Sequence, residues 1–311
     1  MIRKSLLFTV AVCGLSLPAF AHNAWLLPST TVLSDTQQSV TVDAGTSTAP
    51  FEPNHNAMNI DGVKIWAPDG SMGTPENPAK GRYRSTFDVK IDKPGTWRIG
   101  MENVGISGSF KVDGEPWMVG RRRGPPPGAG GPGAAAPGAG APPMGAMGGP
   151  GAGAPGGRPR IDPSHIVASV DDVPSNATDI DLTETMGRNE FFVTAGEPSE
   201  TLFKPSGKGL EFVPVTLPTD LVSNEPAQFR FLVDGQPAAG LEVEVIPGGR
   251  RYRESDGTQK LVTDSDGVLT VTWPMAGMYW LNTSLTDAKP GNPKASKRRM
   301  SYTATLEVLA P

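Results

Sequence analysis

The sequence contains little of the chemistry on which most enzymes depend. Its 311 residues include one cysteine and three histidines, and only 19% of the side chains are charged. A single cysteine excludes a disulfide scaffold within the chain. The formal net charge is −4, whereas proteins that bind nucleic acid normally present a strongly basic face. We therefore expect neither an enzyme nor a nucleic-acid partner.

Long helices are also unexpected, because 38 glycines and 32 prolines would interrupt them repeatedly. Beyond the amino terminus no stretch reaches the roughly 18 apolar residues that a membrane-spanning helix needs. The protein is therefore not expected to span a membrane. The sequence leaves room for one helical turn or two, between Asp179 and Met186.

An export signal is indicated at the amino terminus. Arg3 and Lys4 precede the short apolar stretch Ser5–Leu17, and an Ala-Phe-Ala triplet ending at residue 21 fits the cleavage pattern of signal peptidase. We expect residues 1–21 to be a signal peptide, so that His22 becomes the first residue of a mature chain without cysteine. The expected location is the periplasm.

A low-complexity tract interrupts the chain. Residues 124–157 consist of 14 glycines, nine prolines, nine alanines and two methionines, with arginines on either side. Such a composition offers too little apolar surface to offset the entropy lost on ordering. We expect a disordered insertion over about 121–160, whose role the sequence leaves open.

The remaining segments read as short strands separated by turns. Alternation of apolar and polar residues is clearest in Leu241–Ile246, and six Asp-Gly pairs mark turns. We predict an all-β chain of two immunoglobulin-like or transthyretin-like β-sandwich domains. The first covers residues 22–206 and contains the insertion, and the second covers residues 207–311.

Several motifs resemble the DUF4198 family of exported bacterial proteins. They are AHNAWLLPS (21–29), KPGTWRIG (93–100), GKGLEFVPVTLPTDL (207–221), FLVDGQPAAGLEVEV (231–245) and TDSDGVLTVTWPMAGMYWL (263–281). The resemblance covers nearly the whole mature chain except the low-complexity tract. It implies a periplasmic protein linked to nickel or cobalt uptake, often accompanying a transporter of the energy-coupling type.

The histidines are the candidate metal ligands. An amino-terminal His22 offers its α-amine and Nδ1 as a chelate, and nitrogen-rich ligands suit nickel or copper. His55 lies in a loop between two expected strands and is the natural further nitrogen donor. Asp43, Glu52 or Asp61 would add oxygen, and the role of His165 stays open. A histidine just after the cleavage site is also compatible with chance, and His55 with a purely structural hydrogen bond.

Three functions follow from these features. The first is a periplasmic binding or delivery protein for a divalent transition metal, accessory to nickel, cobalt or copper uptake and serving a metal transporter. The second is a non-catalytic envelope protein that acts by interaction alone. The third is a copper oxidoreductase with a histidine brace, although no flat aromatic platform for a polymer is evident. Neither the metal, the partner nor the oligomeric state follows from the sequence.

Overall fold

The computed structural model describes residues 23–120 and 161–311. Strands make up 55% of the structure, and the described residues include no helix of seven or more residues. Helical structure there consists of four 3₁₀ turns, at Pro163–His165, Val170–Asp172, Thr201–Phe203 and Arg250–Tyr252. The chain has the all-β sandwich fold that the sequence predicts. The expected signal peptide, His22 and the low-complexity tract lie outside the described residues.

Twenty strands are described. Ten precede the tract: β1 (Asn23–Pro28), β2 (Val32–Leu33), β3 (Gln38–Ser47), β4 (Asn56–Ala57), β5 (Val63–Trp66), β6 (Met72–Gly73), β7 (Glu76–Lys80), β8 (Ser85–Ile91), β9 (Gly95–Val112) and β10 (Glu115–Val119). Ten follow it: β11 (Ile166–Val167), β12 (Thr178–Ala195), β13 (Leu210–Pro214), β14 (Pro226–Val233), β15 (Gln236–Pro237), β16 (Glu242–Pro247), β17 (Gln259–Val262), β18 (Val268–Thr272), β19 (Gly277–Asp287) and β20 (Lys297–Val308).

The described residues form two compact units. Unit 1 contains residues 23–102, 187–284 and 301–311, and unit 2 contains residues 103–120, 161–186 and 285–300. Strands β9, β12, β19 and β20 each contribute residues to both units. Segments from both sides of the expected boundary at residues 206 and 207 therefore belong to unit 1. The division into two sandwich domains at that boundary stays a prediction.

Unit 1 contains the sheet that carries the first candidate ligands. Its strand order is β1-β3-β8-β7, with β4 paired to β3, and these pairs are antiparallel. In β3 the side chains of Val40, Val42 and Ala44 are fully buried while their neighbours Ser39 and Thr41 are exposed. This period of two is the one that a half-buried strand requires, and it gives the sheet one apolar face.

A second sheet of unit 1 is built from β13, β14, β15 and β18. Side chains of this sheet take part in an aromatic cluster whose neighbouring ring centroids are 5.0–6.4 Å apart; for example, Phe212 stacks on Tyr302 at 5.1 Å. The other members are Phe192, Phe203, Phe229, Phe231, Trp273 and Tyr279. Aromatic side chains bury more apolar area than any others, so this cluster contributes strongly to stability.

Asp-Gly pairs make tight hairpins where the sequence predicts them. Asp234 and Gly235 connect β14 to β15 with φ angles of 51° and 75°. Asp113 and Gly114 connect β9 to β10 with φ angles of 51° and 85°. Positive φ at both central residues matches the right-handed twist of the flanking strands, and aspartate followed by glycine tolerates it best.

Unit 2 has a small core of its own. Phe110, Val119, Val173, Leu182 and Ala295 are buried together. The helical turn expected between Asp179 and Met186 is wrong, because this segment belongs to β12. In the sequence, Ile180 and Leu182 alternate with aspartates, which is the period of a strand, and Leu182 is buried.

Within the described residues, no helix is long and apolar enough to cross a membrane.

Candidate metal centre

His55 lies exposed in the loop that joins β3 to β4. The loop is held by its own hydrogen bonds: the amide of Glu52 donates to the carbonyl of Ala49 at 3.3 Å, and the amide of Asn54 donates to the carbonyl of Glu52 at 2.8 Å. Asn54 also exchanges hydrogen bonds with Thr48, from Nδ2 to Oγ1 at 3.2 Å and from the Thr48 amide to Oδ1 at 3.4 Å. The residue next to His55 is therefore fixed to the end of β3.

Asn23, the first described residue, also contacts Thr48. Strand β1 pairs with β3 so that Asn23 lies opposite Ser47. The Nδ2 of Asn23 donates to the carbonyl oxygen of Thr48 at 3.3 Å. Asn23 follows His22 directly, and Asn54 precedes His55 directly. The structure thus brings the neighbours of both predicted ligands onto one threonine, although His22 itself lies outside the described residues.

Trp25 and Phe51 pack together where the start of β1 meets the end of β3. The Trp25 side chain is 1% exposed, its Nε1 donates to Ser47 Oγ at 2.7 Å, and its ring meets the Phe51 ring edge-on at 6.0 Å. Gly45 allows this packing, because a Cβ at that position would lie 2.7 Å from Cζ2 of Trp25. A buried tryptophan with a satisfied indole holds β1 and the His55 loop together.

The suggested oxygen ligands have other partners. Asp43 accepts from Arg84 Nη1 at 2.9 Å, and Glu52 Oε1 accepts the backbone amide of Arg251 at 3.1 Å. Asp61 is exposed on the turn before β5. Residues 23–120 and 161–311 contain no group of three or more His, Cys, Asp or Glu side chains placed to hold a metal. Of the two nitrogen donors of the predicted site, His55 is the one that lies within the described residues.

His165 lies in unit 2, whereas His55 belongs to unit 1. Its imidazole stacks on the Trp117 indole, with the ring centroids 4.5 Å apart and the planes 14° apart. Its backbone amide donates to the carbonyl of Asp162 at 2.8 Å and closes a 3₁₀ turn. The stack on Trp117 and the 3₁₀ turn explain the position of His165 by packing alone.

A buried polar cluster in unit 1 was missed by the sequence reasoning. Glu190 is 4% exposed, and its Oε1 accepts from the hydroxyl of Tyr302 at 2.8 Å. Arg98 Nε lies 3.7 Å from Glu190 Oε2 and borders a cavity of about 20 Å³, room for one water molecule. The only signal in the sequence is one acidic residue at the head of the apolar run Phe191–Val193.

The environment moves the pKa values of this cluster in different directions. Burial raises the pKa of Glu190, and the charge of Arg98 and the hydrogen bond from Tyr302 offset this only in part. Burial and the nearby Glu190 charge raise the pKa of Tyr302 well above its ordinary value. Burial alone would raise the pKa of Glu102 too, but Lys64, Arg98 and Arg188 outweigh burial and lower it. The buried Glu190 and Tyr302 are thus coupled to each other through their hydrogen bond.

The fold and the loop geometry define an all-β sandwich protein with a candidate ligand loop at one sheet corner. The family model described as a domain of unknown function, DUF4198, matches residues 19–287. The chain therefore belongs to the DUF4198 family.

Comparison with curated proteins finds no match. Among solved structures, Escherichia coli alpha-2-macroglobulin activated by porcine elastase is 9% identical, with a TM-score of 0.22. The alignment covers 93% of this chain and 20% of that chain, so the present chain spans about a fifth of its length. The D0-D1 domain of Intimin is 10% identical, with a TM-score of 0.18, and the alignment covers 91% of this chain and 97% of that one. TM-scores this low support no statement about the function of this chain.

Proposed function

We propose that the protein binds or delivers a divalent transition metal in the periplasm, as an accessory to nickel or cobalt uptake or to copper uptake. The metal is cargo. After removal of residues 1–21, it is held by the α-amine and imidazole of His22 together with the imidazole of His55. The partner that receives it is a metal transporter or another envelope protein.

The position of Thr48 is the observation that supports this proposal most directly. Asn23 and Asn54, each one peptide bond from a proposed ligand, both make hydrogen bonds to Thr48. One peptide unit separates successive Cα atoms by about 3.8 Å. We propose that the imidazoles of His22 and His55, each on a residue adjacent to an asparagine bonded to Thr48, meet at one ion. The buried Trp25 fixes β1, which begins at the residue after His22, and a fixed strand limits the entropy lost on binding.

The proposal is tested by calorimetric titration of Ni²⁺, Co²⁺ and Cu²⁺ into two forms of the mature protein. One form begins at His22, with the free terminus verified by mass spectrometry, and the other carries one additional alanine before it. We expect one-to-one binding to the first form and a loss of at least about tenfold in affinity for the second, because the chelate ring through the terminal amine is gone.

Two histidine variants complete this test. His55→Gln should weaken metal binding, whereas His165→Gln, the matched control in unit 2, should leave the affinity within about twofold. Equal binding by the two amino-terminal forms, or no binding by either, contradicts the proposed site. Either result would make the non-catalytic envelope interaction the better hypothesis.

A further inference from the structure

Strand β13 forms one edge of the sheet that it shares with β14, β15 and β18. Among the described residues it pairs with β14 alone, in a continuous antiparallel register. Two hydrogen bonds fix which residues face β14: the Asp234 amide donates to the carbonyl oxygen of Gly209 at 2.9 Å, and the Val215 amide donates to the carbonyl oxygen of Gln228 at 3.0 Å. Backbone groups alternate between the two sides of a strand, so the odd-numbered residues of this segment bond to β14.

The even-numbered residues of β13 face away from β14. Leu210 and Phe212 each direct an N–H and a C=O to that side, and Pro214 directs a C=O. Within residues 23–120 and 161–311, no hydrogen bond reaches these backbone groups. β13 therefore presents a row of unpaired donors and acceptors, which is the template on which another extended chain can form a strand.

Both edges of the sheet β1-β3-β8-β7 are protected against such pairing. At β1, the carbonyl oxygen of Ala24 accepts from Trp280 Nε1 at 3.0 Å, and that of Leu26 accepts from Thr305 Oγ1 at 2.6 Å. At β7, Pro78 lacks an N–H, and the register against β8 is irregular beside it. Side-chain cover, proline and bulges are devices by which proteins block strand addition. The described edge of β13 carries none of them before its last residue.

A groove lies against the carboxyl-terminal part of β13, with a cavity volume of about 470 Å³. Pro214, Val215 and Leu217 line it on one side, and the segment that contains the 3₁₀ turn Thr201–Phe203 lines it on the other. Phe203 is 8% exposed, so the second side is anchored in the core, whereas Val215 is 57% exposed. The groove is therefore an accessible apolar surface beside an unpaired edge.

The segment opposite β13 leaves a gap along the strand. Residues 203–205 line this groove and also the small cavity that borders Phe212. They thus follow β13 from Phe212 to Val215, and no backbone hydrogen bond joins these described residues to it. The unpaired groups of β13 therefore face a gap rather than a neighbouring strand.

The lining of the groove carries no net charge, because its two charged residues, Glu200 and Lys204, have opposite signs. The other lining side chains are threonine, proline or apolar residues. Covering such a surface with a charged group would leave that group desolvated and unpaired. Alternating N–H and C=O groups are best satisfied by another extended backbone. The chemistry of this surface therefore fits an uncharged, extended peptide.

We propose that the edge of β13 and its groove bind an extended, uncharged segment of a partner protein, which adds a strand to the sheet. Main-chain hydrogen bonds to Leu210, Phe212 and Pro214 provide the affinity, and apolar side chains at alternate positions of the segment enter the groove. A second copy of the chain fits less well: two β13 strands paired antiparallel about Phe212 would set each Pro214 against Leu210, and proline lacks the N–H that this pair needs. The proposal does not depend on the metal site.

The test uses the peptide Gly-Thr-Val-Thr-Val-Thr-Val-Gly, labelled with a fluorophore at its amino terminus and amidated at its carboxyl terminus. Its binding to the metal-free mature protein is followed by fluorescence anisotropy, and we expect saturation. Two analogues are N-methylated, one at every valine and the other at every threonine, so that each lacks the donors on one side of the strand. Because an added strand pairs through one side only, one analogue should lose at least about tenfold in affinity and the other should stay within about threefold.

Two valine variants locate the binding surface. Val215→Asp places a carboxylate in the groove and should weaken peptide binding at least about tenfold, because the peptide would cover this charge. Val262→Asp is the matched control: Val262 is 60% exposed in β17, and its replacement should change the affinity by less than about twofold. In NMR spectra, binding should also slow the solvent exchange of the Phe212 amide, which faces away from β14. Circular dichroism of each variant verifies that the fold is retained.

Absence of saturable binding overturns the proposal, and so does equal binding of the two methylated analogues or equal weakening by Val262→Asp. If the metal-free protein dimerises in sedimentation experiments and Val215→Asp abolishes the dimer, the edge serves a second copy and the proposal is wrong. The form with an additional alanine before His22 should bind the peptide unchanged. Failure of the metal site and failure of the β13 site are therefore distinguishable.

Discussion

The hydroxyl of Tyr302 is expected to stabilise unit 1 through a single hydrogen bond whose strength depends on pH. Tyr302→Phe removes only this hydroxyl, so the rings stacked at 5.1 Å on Phe212 and edge-on at 5.9 Å to Phe231 keep their packing. What is lost is the 2.8 Å hydrogen bond to Glu190, whose carboxyl is buried. Leaving such an acceptor without its donor costs about 1–3 kcal/mol of unfolding free energy.

The sign of the pH dependence follows from the raised pKa of Glu190. Because burial raises this pKa above its value in the unfolded chain, the contribution of Glu190 to stability falls as pH rises from the unfolded pKa through the folded one. The Tyr302 hydroxyl donates to the ionised carboxylate and limits that fall. The cost of Tyr302→Phe should therefore be smallest where Glu190 is protonated and should grow as pH rises through the folded pKa.

The measurement is urea unfolding of both proteins between about pH 4 and 8, with ΔΔG taken from the midpoints at equal m-values. In thermal scans the same loss corresponds to about 2–4 °C per kcal/mol for a body of ~200 residues. Tyr279→Phe is the matched control, because that buried hydroxyl also donates at 2.8 Å, but to the uncharged carbonyl of Met275. Its cost should be independent of pH in this range.

Two results would refute this reasoning. A loss below about 0.5 kcal/mol at every pH would mean that the hydrogen bond contributes nothing net. Parallel pH profiles for Tyr302→Phe and Tyr279→Phe would mean that Glu190 does not ionise in the folded protein over this range. In the background Glu190→Gln the pH-dependent part of the Tyr302→Phe cost should disappear.

Three further outcomes are expected. Gly45→Ala places a Cβ 2.7 Å from the buried Trp25 ring, so it should lower the free energy of unfolding by about 1–3 kcal/mol in denaturant titrations. It should also weaken Ni²⁺ binding. Unchanged stability would show that the packing of Trp25 on β3 adjusts freely. His165→Ala removes the stack on Trp117 and should destabilise unit 2 by about 0.5–1.5 kcal/mol in thermal unfolding. A loss of metal affinity in this variant would contradict a purely structural role for His165. Since protons compete for an imidazole and a terminal amine, Ni²⁺ affinity should fall steadily from about pH 8 to pH 5 in calorimetric titrations, and a flat profile would exclude the amino-terminal chelate.

The strand pattern was predictable because it is local. Alternation predicted a strand over Leu241–Ile246, and β16 is found at Glu242–Pro247. The turn at Asp234-Gly235 followed from the preference of that pair for positive φ. Alternation of apolar and polar residues also predicts a strand in the segment after Asp179, where β12 is found. The acidic residues and threonines of this segment are also compatible with a helical turn, so composition alone does not distinguish the two.

The candidate site was predictable only in part. The sequence singles out His22 and His55 by residue type, but it contains no sign that Asn23 and Asn54 share Thr48. That relation depends on the register of β1 against β3. The contact between Arg251 and Glu52 joins residues 199 positions apart, so no local pattern encodes it.

By itself the sequence determined the class of fold, the strand segments, the turns and the residue types able to bind a metal, since each of these depends on neighbours a few positions away. Tertiary structure alone decided that His165 packs on Trp117, that Glu190 is buried with its carboxyl bonded to Tyr302, and that Arg251 contacts Glu52. These facts depend on which strands pair and in which register. Pairing is settled by burying all apolar faces at once, and that condition acts on the whole chain.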